Sequence, residues 1–185
     1  MKKLMFMLAA IAMAAGAQAA SVWWTCAGAV DGNGSSASGL AYFVNAAVLS
    51  HDDALALEGK GATAIADALS GSYSFSGSSG NYGVAKASAV GNTTLGLSAD
   101  GGSYSVYLVL FDTATITDSS NFYVTDAKNL TALAGADDVA SVKWGNVGTA
   151  TSASGAWKAA NVPEPTSGLL MLVGLAGLAL RRRRA

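Results

Sequence analysis

Tyr104-Ser105-Val106-Tyr107-Leu108-Val109-Leu110-Phe111 is the stretch on which the fold turns. Strand alternation puts Tyr104, Val106, Leu108 and Leu110 on one face, and Tyr107, Val109 and Phe111 on the other. Both faces are apolar, so the segment reads as a central strand covered on both sides. Asp100-Gly101-Gly102 ahead of it is a turn. Outward from this strand, residues 21–30, 40–48, 72–75, 82–90, 121–125 and 139–147 read as further strands. Asp31-Gly32-Asn33-Gly34 is a turn cluster, and residues 76–81 are a loop. One segment reads as helical. Ser50 with Asp53 makes a capping box, and Ala62, Ile65, Ala66 and Leu69 share a helical face. Gly59 and Gly61 should break it into two short pieces. Turn signals at short spacing predict a mainly β fold: an antiparallel β-sandwich or barrel-like domain with a short helical insertion.

Of 185 residues, 51% are hydrophobic and 12% charged, with a formal net charge of -1. That near-neutrality is an average over unlike parts. Every arginine lies in Arg181, Arg182, Arg183 and Arg184, and Met1, Met5, Met7, Met13 and Met171 all lie near the ends. Residues 20–162 hold five lysines against eleven acids, a net charge of −6. An acidic middle without arginine excludes a nucleic-acid binder acting by phosphate neutralisation. One cysteine and one histidine exclude a disulfide framework and a Cys/His zinc site.

The N-terminus reads as an address. Lys2 and Lys3 precede an uncharged apolar run over residues 4–15, and Ala17-Gln18-Ala19 places small residues at −3 and −1 of a cleavage site. Residues 1–19 are therefore expected to be a secretory signal peptide, removed by signal peptidase to leave Ala20 first. The domain, residues 20–162, then folds outside the cytoplasm. There Cys26 lacks an intramolecular partner and reads as a small buried apolar residue.

At the other end, Pro163-Glu164-Pro165 should be extended and exposed, because its prolines fix φ and remove backbone donors. An apolar helix over about residues 167–180 follows, and then the four arginines. Residues 166–180 would span about 22 Å as a helix, against a hydrocarbon core of roughly 30 Å. Snorkelling arginine side chains extend that reach, and their charge keeps them cytoplasmic. Proline motif, helix and arginine cluster, in this order over residues 163–185, resemble the PEP-CTERM protein-sorting signal. The resemblance implies an exported protein of a Gram-negative bacterium that makes exopolysaccharide. It implies an inner-membrane-attached precursor, processed by an exosortase that recognises Pro163, Glu164 and Pro165 and sends the product to the cell surface or extracellular matrix. A permanent single-pass anchor is the alternative for the same tail.

Other candidate chemistry is thin. Gly59-Lys60-Gly61-Ala62-Thr63-Ala64 has the G-x-G-x-x-A spacing of a dinucleotide loop, but a helical segment precedes it and no acid lies between Asp67 and Asp100. It reads as a helix break. Asp31 opens like an EF-hand loop, yet Ser36 and Tyr42 stand where glycine and glutamate are required, leaving at most a weak calcium site from Asp31 and Asn33. His51-Asp52-Asp53 diverge on a helix, and no G-x-S-x-G elbow supports a hydrolase. Trp23, Trp24, Trp144 and Trp157 lie near the ends of the domain, where the first and last strands can pair. Of Trp23 and Trp24, alternation allows only one on any shared face. The expectation is thus a non-enzymatic surface or matrix protein without a cofactor, catalytic residues or metal. A carbohydrate-binding module using Trp144 and Trp157 is the first alternative, and a secreted hydrolase using His51 the second.

Overall fold

β5 (Ser103–Phe111) lies at the centre of the computed structural model, which describes residues 20–31, 35–98, 101–135, 138–147 and 157–162. Its residues Val106, Tyr107, Leu108, Val109, Leu110 and Phe111 are all fully buried. One edge pairs antiparallel with β2 (Gly39–Asn45), from Ala41 opposite Leu110 to Asn45 opposite Val106. Two short strands share the other edge end to end. β6 (Asn121–Val124) runs beside Val109, Leu110 and Phe111, and β7 (Lys128–Thr131) beside Ser103, Tyr104, Ser105 and Val106. Thr125 closes the gap between them. Its Oγ1 accepts the Leu108 N–H at 2.9 Å, and its own N–H donates to the Leu108 carbonyl at 2.9 Å.

β3 (Tyr73–Gly77) pairs with the outer edge of β2, and β9 (Lys158–Ala159) with that of β6. Among the described residues this six-stranded sheet has the order β3-β2-β5-β6-β9, with β7 also on β5. A three-stranded sheet has the order β4-β1-β8, built from β1 (Ser21–Ala27), β4 (Val90–Gly91) and β8 (Val139–Asn146). Each face of β5 organises one core. Val106, Leu108 and Leu110 pack with Ala41 and Phe43 of β2 and with Val22, Trp24 and Cys26 of β1, so this core joins the two sheets. Tyr107, Val109 and Phe111 pack with residues of α1 (His51–Leu55) and α2 (Ala62–Leu69), including Ala54, Ile65 and Leu69, on the opposite side. Trp24 anchors the first core: its ring centroid is 4.9 Å from that of Phe43, and its indole N–H donates to the Tyr82 carbonyl at 3.0 Å. Each such side chain taken out of water contributes about 1.5–3 kcal/mol.

The mainly β class, the doubly covered central strand and the split helical segment are all present. Ser50 caps α1, its Oγ accepting the Asp53 N–H at 3.1 Å. Several finer expectations change. Among the described residues neither sheet closes into a barrel. The pairing is not wholly antiparallel, because β1 and β8 run parallel, from Ser21 opposite Val139 to Ala27 opposite Asn146. The strand expected over residues 82–90 is interrupted. A bridge joins Val84 to Trp24, a 3-10 turn takes Lys86–Ser88, and pairing resumes only at Val90–Gly91. Ala85-Lys86-Ala87-Ser88 has little β propensity, which accounts for the break. On α2, Ile65 and Leu69 are buried but Ala66 faces solvent. Among the described residues no helix is long and apolar enough to cross a membrane. The signal peptide and the helix expected at 167–180 lie outside them.

Thr125→Val keeps the shape of the side chain but leaves the buried Leu108 N–H without its acceptor. Urea unfolding should show a loss of about 1–3 kcal/mol, with Thr125→Ser retaining most of the stability.

Candidate functional site

The described chain ends where the Pro-Glu-Pro segment begins, and its last residues are closely held. Trp157 donates its indole N–H to the Val30 carbonyl and packs on Tyr123 with ring centroids 6.0 Å apart. Lys158 Nζ meets Glu58 Oε2 at 2.7 Å, a half-exposed pair of small energetic weight. The Ala159 carbonyl accepts the Gly59 N–H at 3.0 Å, and the Ala160 carbonyl accepts the Gly61 N–H at 2.8 Å. The buried Ala160 donates its own N–H to the Ser120 carbonyl at 2.9 Å. Asn161 and Val162 are exposed, so the fold releases the backbone two residues before Pro163.

Gly59 and Gly61 have φ of +73° and +86°, in the region that favours glycine. They turn the chain between α1 and α2 so that the Gly59 and Gly61 donors face the end of β9 and the residue after it. The segment read as a helix break is thus also a clamp on the C-terminal strand. Its N–H groups are engaged by carbonyls, and the Ala62 N–H by Asp118 Oδ1 at 2.8 Å, so it does not form a phosphate cradle. Nothing in the local sequence signals this clamp, because its partners lie about a hundred residues further on.

The remaining candidates are placed as follows. His51 Nε2–H donates to the Thr125 carbonyl at 2.9 Å, and its ring meets Tyr107 edge-on at 5.1 Å. Asp52 and Asp53 are exposed, with Asp53 Oδ2 accepting from the capping Ser50 hydroxyl at 2.6 Å, so the three side chains do not converge. His51 therefore supports the same Thr125 junction that completes β5. Asp31 Oδ1 accepts the Ser35 N–H at 2.9 Å, closing a turn. Among the described residues no three His, Cys, Asp or Glu side chains gather as metal ligands. Trp144 donates to the Asp126 carbonyl at 2.8 Å and packs edge-on against Phe43. Trp144 and Trp157 are thus both engaged in packing around the first core rather than displayed as a pair. Cys26 is fully buried, and burial pushes its thiol from 9.0 up to about 12. Ala20 is buried, its carbonyl accepting the Asn92 N–H at 2.9 Å. Ala17, Ala19, Pro163, Glu164, Pro165, Arg181, Arg182, Arg183 and Arg184 lie outside the described residues.

Residues 161–184 match the PEP-CTERM protein-sorting motif, and the rest of the chain matches no family. No curated protein and no solved structure matches the chain. The motif marks an exosortase-sorted protein with an extracellular or cell-surface destination. Its first matched residue is the first that the fold leaves exposed after the buried Ala160.

Two outcomes follow for this region. Gly61→Ala forces a side chain onto a left-handed backbone and should cost roughly 1–2 kcal/mol, with faster hydrogen exchange at Ala160 than in wild type. Cys26 should resist thiol reagents at neutral pH until the protein is unfolded. Because the fold favours the neutral thiol, the native state holds the extra proton between the two pKa values. The Cys26 contribution should therefore make stability fall as pH rises from 9.0 to about 12.

Proposed function

We propose that this chain is the precursor of a non-enzymatic surface or extracellular-matrix protein, delivered by its tail and carrying a β-sandwich-like domain as the finished product. The observation that carries the reading is the sorting motif at residues 161–184, which starts where the fold releases the backbone. Residues 1–19 direct export of the domain and are then removed by signal peptidase. The apolar helix at about residues 167–180 then holds the precursor in the inner membrane, with Arg181, Arg182, Arg183 and Arg184 on the cytoplasmic side. Pro163, Glu164 and Pro165 form the peptide that the exosortase reads, and they catalyse nothing.

The clamp on β9 supports this division of labour. A peptide enters a protease or transpeptidase site in extended form, and residues up to Ala160 are bonded into the sheet and to the loop between α1 and α2. Cutting beyond Val162 leaves every one of those bonds intact. The product then has a net charge of −6 and no arginine. That composition suits a soluble or matrix-held surface protein rather than one bound to an anionic membrane.

Intact mass of the protein from cells with and without the exosortase tests the assignment. With the enzyme, the tail should be lost beyond Val162 and the domain should appear outside the cell. Without it, the full tail should persist in the membrane fraction. Glu164→Ala should reproduce the enzyme-deficient pattern in cells that have the enzyme. A tail retained at full mass when the exosortase is present would identify a permanent anchor instead.

A further inference from the structure

Trp23 is the tryptophan that packing leaves over. Trp24, Trp144 and Trp157 each donate the indole N–H to a main-chain carbonyl, whereas that of Trp23 finds no acceptor among the described residues. Its ring belongs to neither core. It is half-buried on the outer face of the three-stranded sheet, where it lines a cleft of about 310 Å³ with Thr25, Asn81, Gly83, Val84 and Ala85. Asn81 Oδ1 is occupied by the Gly83 N–H at 2.9 Å, while its Nδ2 donors have no partner among the described residues. The parallel register sets Ser141 beside Trp23 and the exposed Lys143 beside Thr25, on the same outer face. The exposed Lys86 directly follows Ala85.

This surroundings is one-sided in charge and in hydrogen bonding. Residues 20–30, 81–91 and 139–147 contain no aspartate or glutamate, although residues 20–162 as a whole are strongly acidic. Two acids adjoin these segments in sequence: Asp138 precedes β8 and accepts the Gly135 N–H at 3.2 Å, at the Ser21 end of the sheet, and Asp31 follows Val30 and accepts the Ser35 N–H at 2.9 Å. The cleft itself offers an aromatic ring, an indole donor and an amide donor, while Lys143 lies across from its Thr25 and Lys86 follows its Ala85, with no carboxylate on the same strands. A ligand matching them carries a flat, C–H-lined face for the ring, and carboxylates for the donors. We propose that the Trp23 cleft is a binding site for an acidic saccharide, a polymer or oligomer of uronate-type sugars. One sugar ring stacks on Trp23, and carboxylate oxygens accept from the Trp23 indole, Asn81 and the lysines. The cleft holds one or two sugar units, so a single site is weak and a long chain binds by repeated engagement. The assignment does not depend on how the tail is processed.

Binding of labelled oligogalacturonate to the full-length chain in mild detergent tests it. The arginine cluster gives a constant background, so the readout is the difference between wild type and variants. Trp23→Ala should weaken binding about tenfold, and Trp23→Phe should recover much of the loss. Lys143→Gln, at an exposed strand position with little bearing on folding, should weaken it about threefold and flatten its salt dependence. A neutral malto-oligosaccharide and a poly-glutamate of matched charge should show no difference between wild type and Trp23→Ala. Equal binding of oligogalacturonate by wild type, Trp23→Ala and Lys143→Gln would overturn the proposal. So would a Trp23-dependent preference for the neutral sugar or for the acidic peptide.

Discussion

Everything else in this fold depends on keeping the backbone of β5 satisfied while both of its faces are dry. A strand buried on two sides has no solvent to hydrogen-bond its main chain, so both edges must be paired along their whole length. β2 meets that demand on one edge with a continuous register along Val106–Leu110, within the buried stretch. On the other edge two short strands meet it only because Thr125 bridges the interval between them. His51 in turn engages the Thr125 carbonyl, which ties α1 to the same junction. A histidine that stands out in the sequence as potential chemistry is thus spent on the main chain of the central sheet.

How much of this was legible depends on how local each signal is. β5 declares itself in eight residues, since apolar side chains at both parities admit little else but a doubly covered strand. The cap at Ser50 and the interruption at Gly59 and Gly61 are equally local, and both are present. Strand direction is not encoded locally, and so the parallel pairing of β1 with β8 does not follow from composition or turns. β7 and β9 are too short for periodicity, with only Leu130 buried in the first. Alternation shows that Trp23 and Trp24 face opposite ways, but only the packed structure decides that Trp24 enters the core and Trp23 lines a cleft. The sorting tail is the reverse case. It is a linear motif read by another protein, so its meaning lies in residue order and needs no fold.

The C-terminal strand connects these two kinds of information. A sorting peptide has to be accessible, while the domain before it has to stay folded. The loop between α1 and α2 reconciles the two by fixing the backbone through Ala160 and leaving Asn161 and Val162 exposed. The glycines that end one helix before the next begins therefore also help set the boundary between the folded domain and the matched sorting motif.

The parallel pair has a consequence for the order in which this protein assembles. β1 is the first strand among the described residues, yet its parallel partner β8 is separated from it by most of the domain. Until β8 emerges, one edge of a strand containing Val22, Trp24 and Cys26 stays open, a template for pairing with any other extended chain. Long-range pairing of this kind also slows folding, because the intervening loop must be closed before the contact is gained. Completion of the three-stranded sheet thus waits for nearly the whole domain, with only β9 still to follow among the described strands.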